Sequence, residues 1–457
     1  MITQLLNRDF LVSAAEDTRL NLRTVLAEGT RRRGDVGSNP LDGIDDAAIA
    51  EFVQALTDLE LPPTAPKDDV LFMPRDPLLS ILQTVIDEVA REQRPQAISN
   101  GTGTGRRAAA APRPVAVDET FDIPLTAAAA PGRRAWGAFE VTRPKILSDP
   151  RWVWSGAVIL WNRFKNRAPF VDRPAGPIPV AGDARIVLVG DWGSGIPRAR
   201  AVAEQIRKEL DDGLAARREQ HVVHLGDVYY TGGEQEYNER FLPYWPVRDG
   251  EDIGSYTLNG NHDMYQGGHH YYDAGLADPR FARQEGTSWF SLKSPHWQFL
   301  ALDTSYDDKS LHGGQLDWIR AQLEDNPDHK TALLSHHQLF SAYEEVTGGV
   351  IDQIQPVLDS GRVDAWFWAH EHRCLVYNDH RGVRFSSCVG HGGIPEYLIA
   401  KEGDPLPDPL AYDYRLKHGS GLEPFNTFGF AVVELDGPEM RVKYVDEEGR
   451  AHYHWPP

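Results

Sequence analysis

The stretch RIVLVGDWG, residues 185–193, decides the fold of this 457-residue chain. An apolar run ends there in a glycine and Asp191, and the same order recurs in HVVHLGD, residues 221–227. Asp227 follows Asp191 by 36 positions, which leaves room for a helical crossover between parallel strands. Both runs are therefore predicted to be neighbouring buried strands. Each should deliver a carboxylate to the carboxyl edge of one sheet, where α/β folds place their sites.

Three more clusters of polar side chains follow apolar runs further along the chain. They read GNHD (260–263), SHH (335–337) and AHEH (369–372), and Tyr230 follows Asp227 by three residues. Together the clusters offer carboxylates, an amide oxygen, a phenol and imidazoles. This mixture of oxygen and nitrogen donors suits two adjacent transition-metal ions. The sequence predicts a two-metal hydrolase.

The two histidine clusters SHH and AHEH differ in how clearly they indicate which histidine binds metal. One of His336 and His337 is expected to bind metal, and His336 is favoured. In the last cluster, alternate residues of an extended segment point the same way. His370 and His372 are therefore predicted to share a face, whereas Glu371 points away.

The composition limits the classes of partner. The chain has 67 acidic and 47 basic residues, a net charge of −20, which argues against a nucleic-acid surface or a membrane surface. The N-terminus has no secretory signal pattern and no run long enough to span a bilayer, so a cytoplasmic protein is predicted. Cys374 and Cys388 are expected to be separate buried thiols, although a disulfide between neighbouring strands is an alternative.

Composition and periodicity divide the chain into four parts. A helical N-terminal region (1–94) and an Ala/Pro/Gly-rich linker (95–145) precede a Trp-rich bracing segment (146–180) and the catalytic domain (181–457). The N-terminal helices are expected to pack on each other or on the catalytic domain, and docking of another protein is the alternative.

The catalytic domain is predicted to be α/β, with two stacked mixed sheets flanked by helices. Strand-like runs alternate with helical patterns first, and strands without long helices follow. The strands are expected at 185–189, 221–225, 256–258, 298–302, 331–334, 363–368, 383–387, 428–435 and 440–445, and the helices at 197–210 and 315–323.

In order and residue type, the five clusters resemble those of the calcineurin-like metallophosphoesterases over about residues 183–445. Most of that superfamily has a histidine ligand where this chain has Gly193. Tyr230 matches the tyrosine that replaces this histidine in purple acid phosphatases, so the chain is most similar to that branch. The resemblance implies a four-layer αββα sandwich, here with a helical N-terminal extension.

The resemblance also implies a set of metal ligands and a reaction. It implies a ferric ion bound by Asp191, Asp227, Tyr230 and His372, with Asp227 bridging to a divalent iron, zinc or manganese ion bound by Asn261, His336 and His370. In such enzymes a metal-activated hydroxide attacks the phosphorus of a small-molecule phosphate ester. His262 is the expected aid to the leaving group.

The chain departs from the purple acid phosphatase pattern at one position near the substrate. Glu345 stands where relatives often have a histidine, and a carboxylate there repels a doubly charged monoester. A phosphodiesterase acting on nucleotide or phospholipid-type diesters is therefore one alternative, and a non-catalytic metal-binding interaction protein is another. The expected substrate contacts are His262, His337, Glu345, His269 and His391.

Overall fold

The computed structural model describes Ser80, Ile81, Thr84 and residues 166–457, except 345, 347, 348, 397 and 419–424. The predicted N-terminal region, linker and most of the bracing segment lie outside the described residues, so their boundaries stay predictions. Thr84 is helical and buried; its hydroxyl lies 3.0 Å from that of Thr231 and donates to Glu236 at 3.2 Å. This part of the predicted second helix therefore packs on the catalytic domain.

Within the described part of the chain, fourteen strands and four α-helices form the domain. The strands are β1 (Ile178–Pro179), β2 (Arg185–Val189), β3 (Gln220–His224), β4 (Gly254–Thr257), β5 (Phe290–Lys293), β6 (Trp297–Ala301), β7 (Lys330–Leu334), β8 (Ala365–Trp368), β9 (Cys374–Tyr377), β10 (Phe385–Val389), β11 (Leu410–Asp413), β12 (Gly429–Asp436), β13 (Glu439–Asp446) and β14 (Ala451–Trp455). The helices are α1 (Pro197–Ala215), α2 (Glu234–Glu236), α3 (Gln315–Asp325) and α4 (Gly349–Asp359).

The strands form two mixed sheets, as predicted. One has eight strands in the order β1-β5-β6-β7-β8-β10-β9-β11, and the other has six in the order β14-β13-β12-β2-β3-β4. The central strands β2, β3 and β4 run parallel to one another, as do β6, β7, β8 and β10. The parallel strands present their carboxyl ends at the same edge of each sheet, which is where the polar clusters follow them.

Side-chain alternation along β2 explains why the sheets are layered. Ile186 and Leu188 belong to an apolar core that also contains Phe299 and Phe367 of the other sheet. Val187 and Val189 face the opposite way, into a core shared with helix α1. A third core joins the outer face of the eight-stranded sheet to α3 and α4 through Trp366, Ile319 and Ile354, among others. The order is therefore helix, sheet, sheet, helix, which confirms the predicted αββα sandwich.

Two smaller predictions concern thiols and membranes. Cys374 and Cys388 are both free and buried, which agrees with two separate thiols. They lie on the paired strands β9 and β10, but their register is offset by one residue, because Val389 faces Cys374 and Cys388 faces Leu375. Among the helices of the described residues, none combines the length and apolar character that crossing a bilayer requires.

Gly190, between β2 and Asp191, lies at a close contact between the ends of the two sheets. A Cβ added at this position would lie 2.4 Å from the Cβ of Ala369, which follows β8. The amide of Gly190 donates to the carbonyl of Val389 at 3.0 Å, and its carbonyl accepts from Gly392 at 3.0 Å. A glycine at position 190 therefore lets the two strand ends that carry site residues approach each other.

Gly190→Ala is expected to lower the free energy of unfolding by about 1–3 kcal/mol, because overpacking forces the two sheets apart at this point. Chemical denaturation followed by circular dichroism measures the change. Gly182→Ala is the matched control, since an added Cβ there meets Pro295 only at 3.7 Å, an ordinary contact. Equal stability of the two variants would contradict this account of the junction.

Candidate metal centre

Four of the predicted ligands lie in an uncommon backbone conformation. The φ angles are 51° at Asp191, 74° at Asp227, 68° at His370 and 53° at His372, which is half of the eight non-glycine residues with positive φ in the described chain. Asp and His tolerate this left-handed region better than most residues. Each strand end therefore turns sharply at its ligand, and such conformations cluster at functional sites.

Asp191, Asp227 and His372 form one group of donors, all buried. The Nε2 atom of His372 lies 3.6 Å from Oδ1 of Asp191. The hydroxyl of Tyr229 lies between them, 2.7 Å from His372 Nε2, 3.2 Å from Asp191 Oδ1 and 2.9 Å from Asp227 Oδ2. The structure therefore brings two carboxylates, one phenol and one imidazole to a common point.

Asn261, His336 and His370 form a second group beside the first. The Nε2 atom of His336 lies 3.0 Å from Oδ1 of Asn261 and 3.2 Å from Nδ1 of His370. Nδ1 of His370 lies 2.9 Å from the same Asn261 oxygen. These three donors come from the loop after β4, the end of β7 and the end of β8, so the set spans both sheets.

The Asp227 carboxylate links the two groups. Its Oδ2 atom, which accepts from Tyr229, lies 3.4 Å from Nε2 of His336. Burial opposes ionisation of Asp227, but electrostatic interaction with His336, and then with His262, outweighs it and holds the pKa of this carboxyl well below its usual range. Burial likewise favours a neutral His336, yet Asp227 raises the pKa of this imidazole to about 9. The buried carboxylates thus create a strong demand for positive charge.

The residues present fit a pair of metal ions. Nδ1 of His336 lies 3.0 Å from the carbonyl oxygen of Leu225, which can only accept, so Nδ1 carries the proton and Nε2 faces the other donors. Metal-bound histidines are held by a bond of this kind. Carboxylate, phenol, amide oxygen and imidazole donors suit iron, zinc or manganese. Oδ2 of Asp227 lies within reach of both donor groups.

Tyr230 requires a correction. The phenol that enters the first group is that of Tyr229, whereas the amide of Tyr230 donates to Glu236, its carbonyl lies 2.6 Å from the His262 ring, and its ring faces the Arg240 guanidinium at 4.9 Å. Consecutive side chains leave a loop in different directions, so one of two adjacent tyrosines can enter the site. The sequence Tyr-Tyr carries no signal to choose between them.

The last cluster has the predicted side-chain directions but not the predicted backbone. Strand β8 ends at Trp368, and both histidines after it have positive φ. Nevertheless His370 and His372 reach the two donor groups, while Glu371 accepts from the indole of Trp368 at 2.7 Å and from the hydroxyl of Ser341. The opposed directions come from sharp turns rather than from an extended strand.

His262 lies beside the linking carboxylate. Its backbone amide donates to Oδ1 of Asp227 at 2.9 Å, and its Nδ1 donates to the carbonyl of Tyr230 at 2.6 Å. The ring lies between those of Tyr229 and Tyr265, with centroids 4.3 and 4.6 Å away. Burial lowers the pKa of this imidazole to about 4. His262 is therefore fixed in one tautomer, with Nε2 left for proton exchange.

Asp263 is a site residue whose role the sequence interpretation missed. Its buried carboxylate accepts from the amides of Asp227 at 2.9 Å, Val228 at 3.2 Å and Gly260 at 2.7 Å, and from the Tyr237 hydroxyl at 2.6 Å. Burial and then the charge of Asp227 raise the pKa of Asp263 to about 7, which these four donors oppose. Asp263 thus ties the loop after β3 to the loop after β4. The only sequence signal for this role is that an aspartate directly follows Gly-Asn-His in the cluster GNHD.

The other predicted substrate contacts lie in different surroundings, and not all of them adjoin the donor groups. His337 is buried beside the second donor group, with its ring 4.6 Å from that of His370 and its Nδ1 3.0 Å from the Thr304 hydroxyl. His269 lies 2.5 Å from the carbonyl of Asn166, in the segment that precedes β1. Glu345 lies outside the described residues. The ring of His391 lies near those of Tyr414 and His452, with centroids 6.4 Å away in each case.

Several known proteins are similar to this chain. A family model described as calcineurin-like phosphoesterase matches residues 184–374. The chain is 24% identical to tartrate-resistant acid phosphatase type 5 of Homo sapiens over 58% of this chain and 88% of that protein, and 23% identical to its Mus musculus counterpart over 65% and 94%. A solved purple acid phosphatase, PPD1 from Lupinus luteus seeds, aligns with a TM-score of 0.44 and 18% identity over 62% of this chain and 54% of that one. The family match and the acid phosphatase relatives confirm the superfamily and branch predicted from the five clusters.

Asp263→Asn is expected to weaken metal binding by about 10- to 100-fold, because residues that orient ligands typically have effects of this size. An amide nitrogen would face donors that now meet a carboxylate. Metal titration followed by calorimetry measures the affinity. Asp303→Asn is the matched control, since Asp303 is equally buried and accepts from the amides of Ser305 and Tyr306. A loss of metal affinity as large in the control would contradict the role of Asp263.

Proposed function

We propose that this chain, whose residues 184–374 make it a calcineurin-like phosphoesterase of the purple acid phosphatase-like branch, hydrolyses phosphate esters at a two-metal centre. As a phosphoric ester hydrolase it requires a site that holds a phosphate and activates water. The proposed ligands of a ferric ion are Asp191, Asp227, Tyr229 and His372, and those of a divalent iron, zinc or manganese ion are Asp227, Asn261, His336 and His370.

The position of Asp227 is the observation that carries this proposal. Its Oδ2 atom lies 2.9 Å from the Tyr229 hydroxyl and 3.4 Å from Nε2 of His336, and so belongs to both donor groups. A carboxylate shared by both donor groups is the kind of ligand that a pair of adjacent metal ions would require. The anionic phenol favours a ferric ion in the first group, whereas the neutral amide and imidazoles of the second favour a divalent one.

The chemistry divides between the ions and the protein. When bound, two cations would supply positive charge to neutralise phosphoryl oxygens and to make water nucleophilic near neutral pH. The protein fixes the donors before binding, because Asp263 and the Leu225 carbonyl hold the loops and the His336 ring in place. Because most of these donors are buried, bulk water is excluded from around them, which strengthens electrostatic interactions within the site.

His262 is the proposed proton donor to the leaving group. Its Nδ1 proton is committed to the carbonyl of Tyr230, so the exchangeable proton is at Nε2. A phosphate in the site stabilises the charged ring, which can then pass the Nε2 proton to the leaving oxygen as the ester bond breaks. A merely metal-binding scaffold has no use for an imidazole oriented in this way.

A phosphodiester is the second candidate substrate. The acidic pair Glu344 and Glu345 follows the His336 segment, and a diester brings one negative charge fewer than a dianionic monoester. Glu344 lies in the described chain, with Oε2 3.5 Å from Nε2 of Gln338, two residues after His336. The acidic pair therefore favours singly charged substrates at neutral pH.

Iron-loaded protein is expected to be violet, because charge transfer from a phenolate to a ferric ion absorbs visible light. Tyr229→Phe should remove the colour, and Tyr230→Phe, its adjacent control, should retain it. Visible absorption at equal iron content measures both. Bleaching by Tyr230→Phe alone would restore the assignment made from motif position, and colourless wild-type protein at full iron content would remove the phenolate ligand altogether.

His262→Asn is expected to lower kcat on an aryl phosphate or an aryl phosphodiester by about 10²- to 10⁴-fold, the usual contribution of a general acid. Metal content should stay at the wild-type value, because His262 is not among the proposed ligands. His296→Asn is the control, since this histidine is exposed in the turn between β5 and β6. If wild-type protein loaded with both metals turned over neither substrate, this result would contradict the proposed hydrolase activity.

A further inference from the structure

A second group of metal-binding side chains lies apart from the proposed centre. Cys374 of β9, His391 after β10 and His452 of β14 each place one donor atom within 4.8 Å of the others. Cys374 and His391 are almost fully buried, at 2% and 1% exposure, and His452 is partly exposed. None of the three is among the proposed ligands of the two-metal centre, and none is the proposed proton donor.

The His391 ring has an unusual environment. Neither of its nitrogens has a hydrogen-bond partner among the described residues, although the ring is buried. An unsatisfied buried polar atom is unfavourable and calls for an explanation such as a bound ion. The Gly429 backbone packs closely on this ring, since a Cβ added there would lie only 2.7 Å from Nε2 of His391.

His452 is oriented in the way that metal-binding histidines are. Its Nδ1 lies 2.9 Å from the Tyr412 hydroxyl, and its ring stacks on that of Tyr414 at 3.7 Å with an interplanar angle of 3°. Its Nε2 has no hydrogen-bond partner in the described chain. One nitrogen is thus held by a neighbour while the other is left for a ligand, which is the arrangement that fixes imidazoles at metal sites.

We propose that Cys374, His391 and His452 bind a single thiophilic divalent cation, with Zn²⁺ as the best match. Thiolate and imidazole are both zinc ligands, and a water would take the fourth tetrahedral position beside three protein donors. Zinc bonds of about 2.0–2.3 Å place donor atoms roughly 3.3–3.7 Å apart, so the side chains need to move inward by about 1 Å. On binding, the cation replaces the thiol proton of Cys374, which passes to water.

This ion would connect the two sheets. Cys374 and His391 belong to the eight-stranded sheet and its connection, and His452 belongs to the edge strand of the six-stranded sheet. Contacts already join the sheets at this point, since Tyr412 of β11 stacks on Tyr453 of β14 at 4.2 Å. A cation here would join β9, the second strand from the edge of one sheet, to the edge strand β14 of the other, so it should stabilise the fold rather than take part in hydrolysis.

Cobalt substitution tests the proposal without relying on activity. The chain has two cysteines and neither is among the proposed ligands of the two-metal centre, so a thiolate-to-Co²⁺ charge-transfer band can report only a cysteine site. Metal-stripped protein titrated with Co²⁺ should develop this band. Cys374→Ser should abolish the band, whereas Cys388→Ser, which replaces the other buried thiol, should retain it.

Metal content and heat stability complete the test. Wild-type protein should hold one Zn²⁺ more per chain than Cys374→Ser, and Zn²⁺ should raise the Tm of the wild type but not of this variant. His452→Gln, at the partly exposed position, should also lose the band, and it decides the matter if Cys374→Ser fails to fold. No band in the wild type, or a band that survives Cys374→Ser, would overturn the proposal and leave a pocket filled with water.

Discussion

Two carboxylates, Asp191 and Asp227, are buried where the two sheets meet, and the rest of the structure is organised around that burial. Ionised carboxylates inside a protein are strongly unfavourable unless cations or donors surround them. The surrounding strand ends supply four imidazoles, a phenol and many backbone amides. The sandwich thus brings together, from distant parts of the chain, a set of groups that no single strand could provide.

The sequence predicted the parts of the fold that are governed by burial. Strand β2 was placed at its observed residues, because all five are buried and only an apolar run satisfies both neighbouring layers. Helix α1 was correctly started at Pro197, but it continues to Ala215, beyond its last apolar contact at Leu210. Strand β9 was not predicted. It has only four residues, CLVY, and begins two residues after His372.

Elements at the edges of the fold were harder to predict from sequence. Strand β14 has alternating polar and aromatic residues and is only partly buried, so its pattern resembles that of a surface segment. Helix α4 contains Pro356, a residue that normally argues against a helix interior. At the site, the residue types and the convergence of five strand ends could be predicted. Directions set by loop turns, such as those of Tyr229 and Asp263, could not.

The left-handed backbone at Asp191, Asp227, His370 and His372 limits how this site can change. Residues with branched β-carbons are strongly disfavoured in that conformation, whereas glycine, asparagine, aspartate and histidine tolerate it. Each of these four positions therefore needs a side chain that donates an electron pair and a residue that tolerates the left-handed conformation. Because few amino acids meet both requirements, new catalytic properties are more accessible through the surrounding loops than through exchange of these four residues.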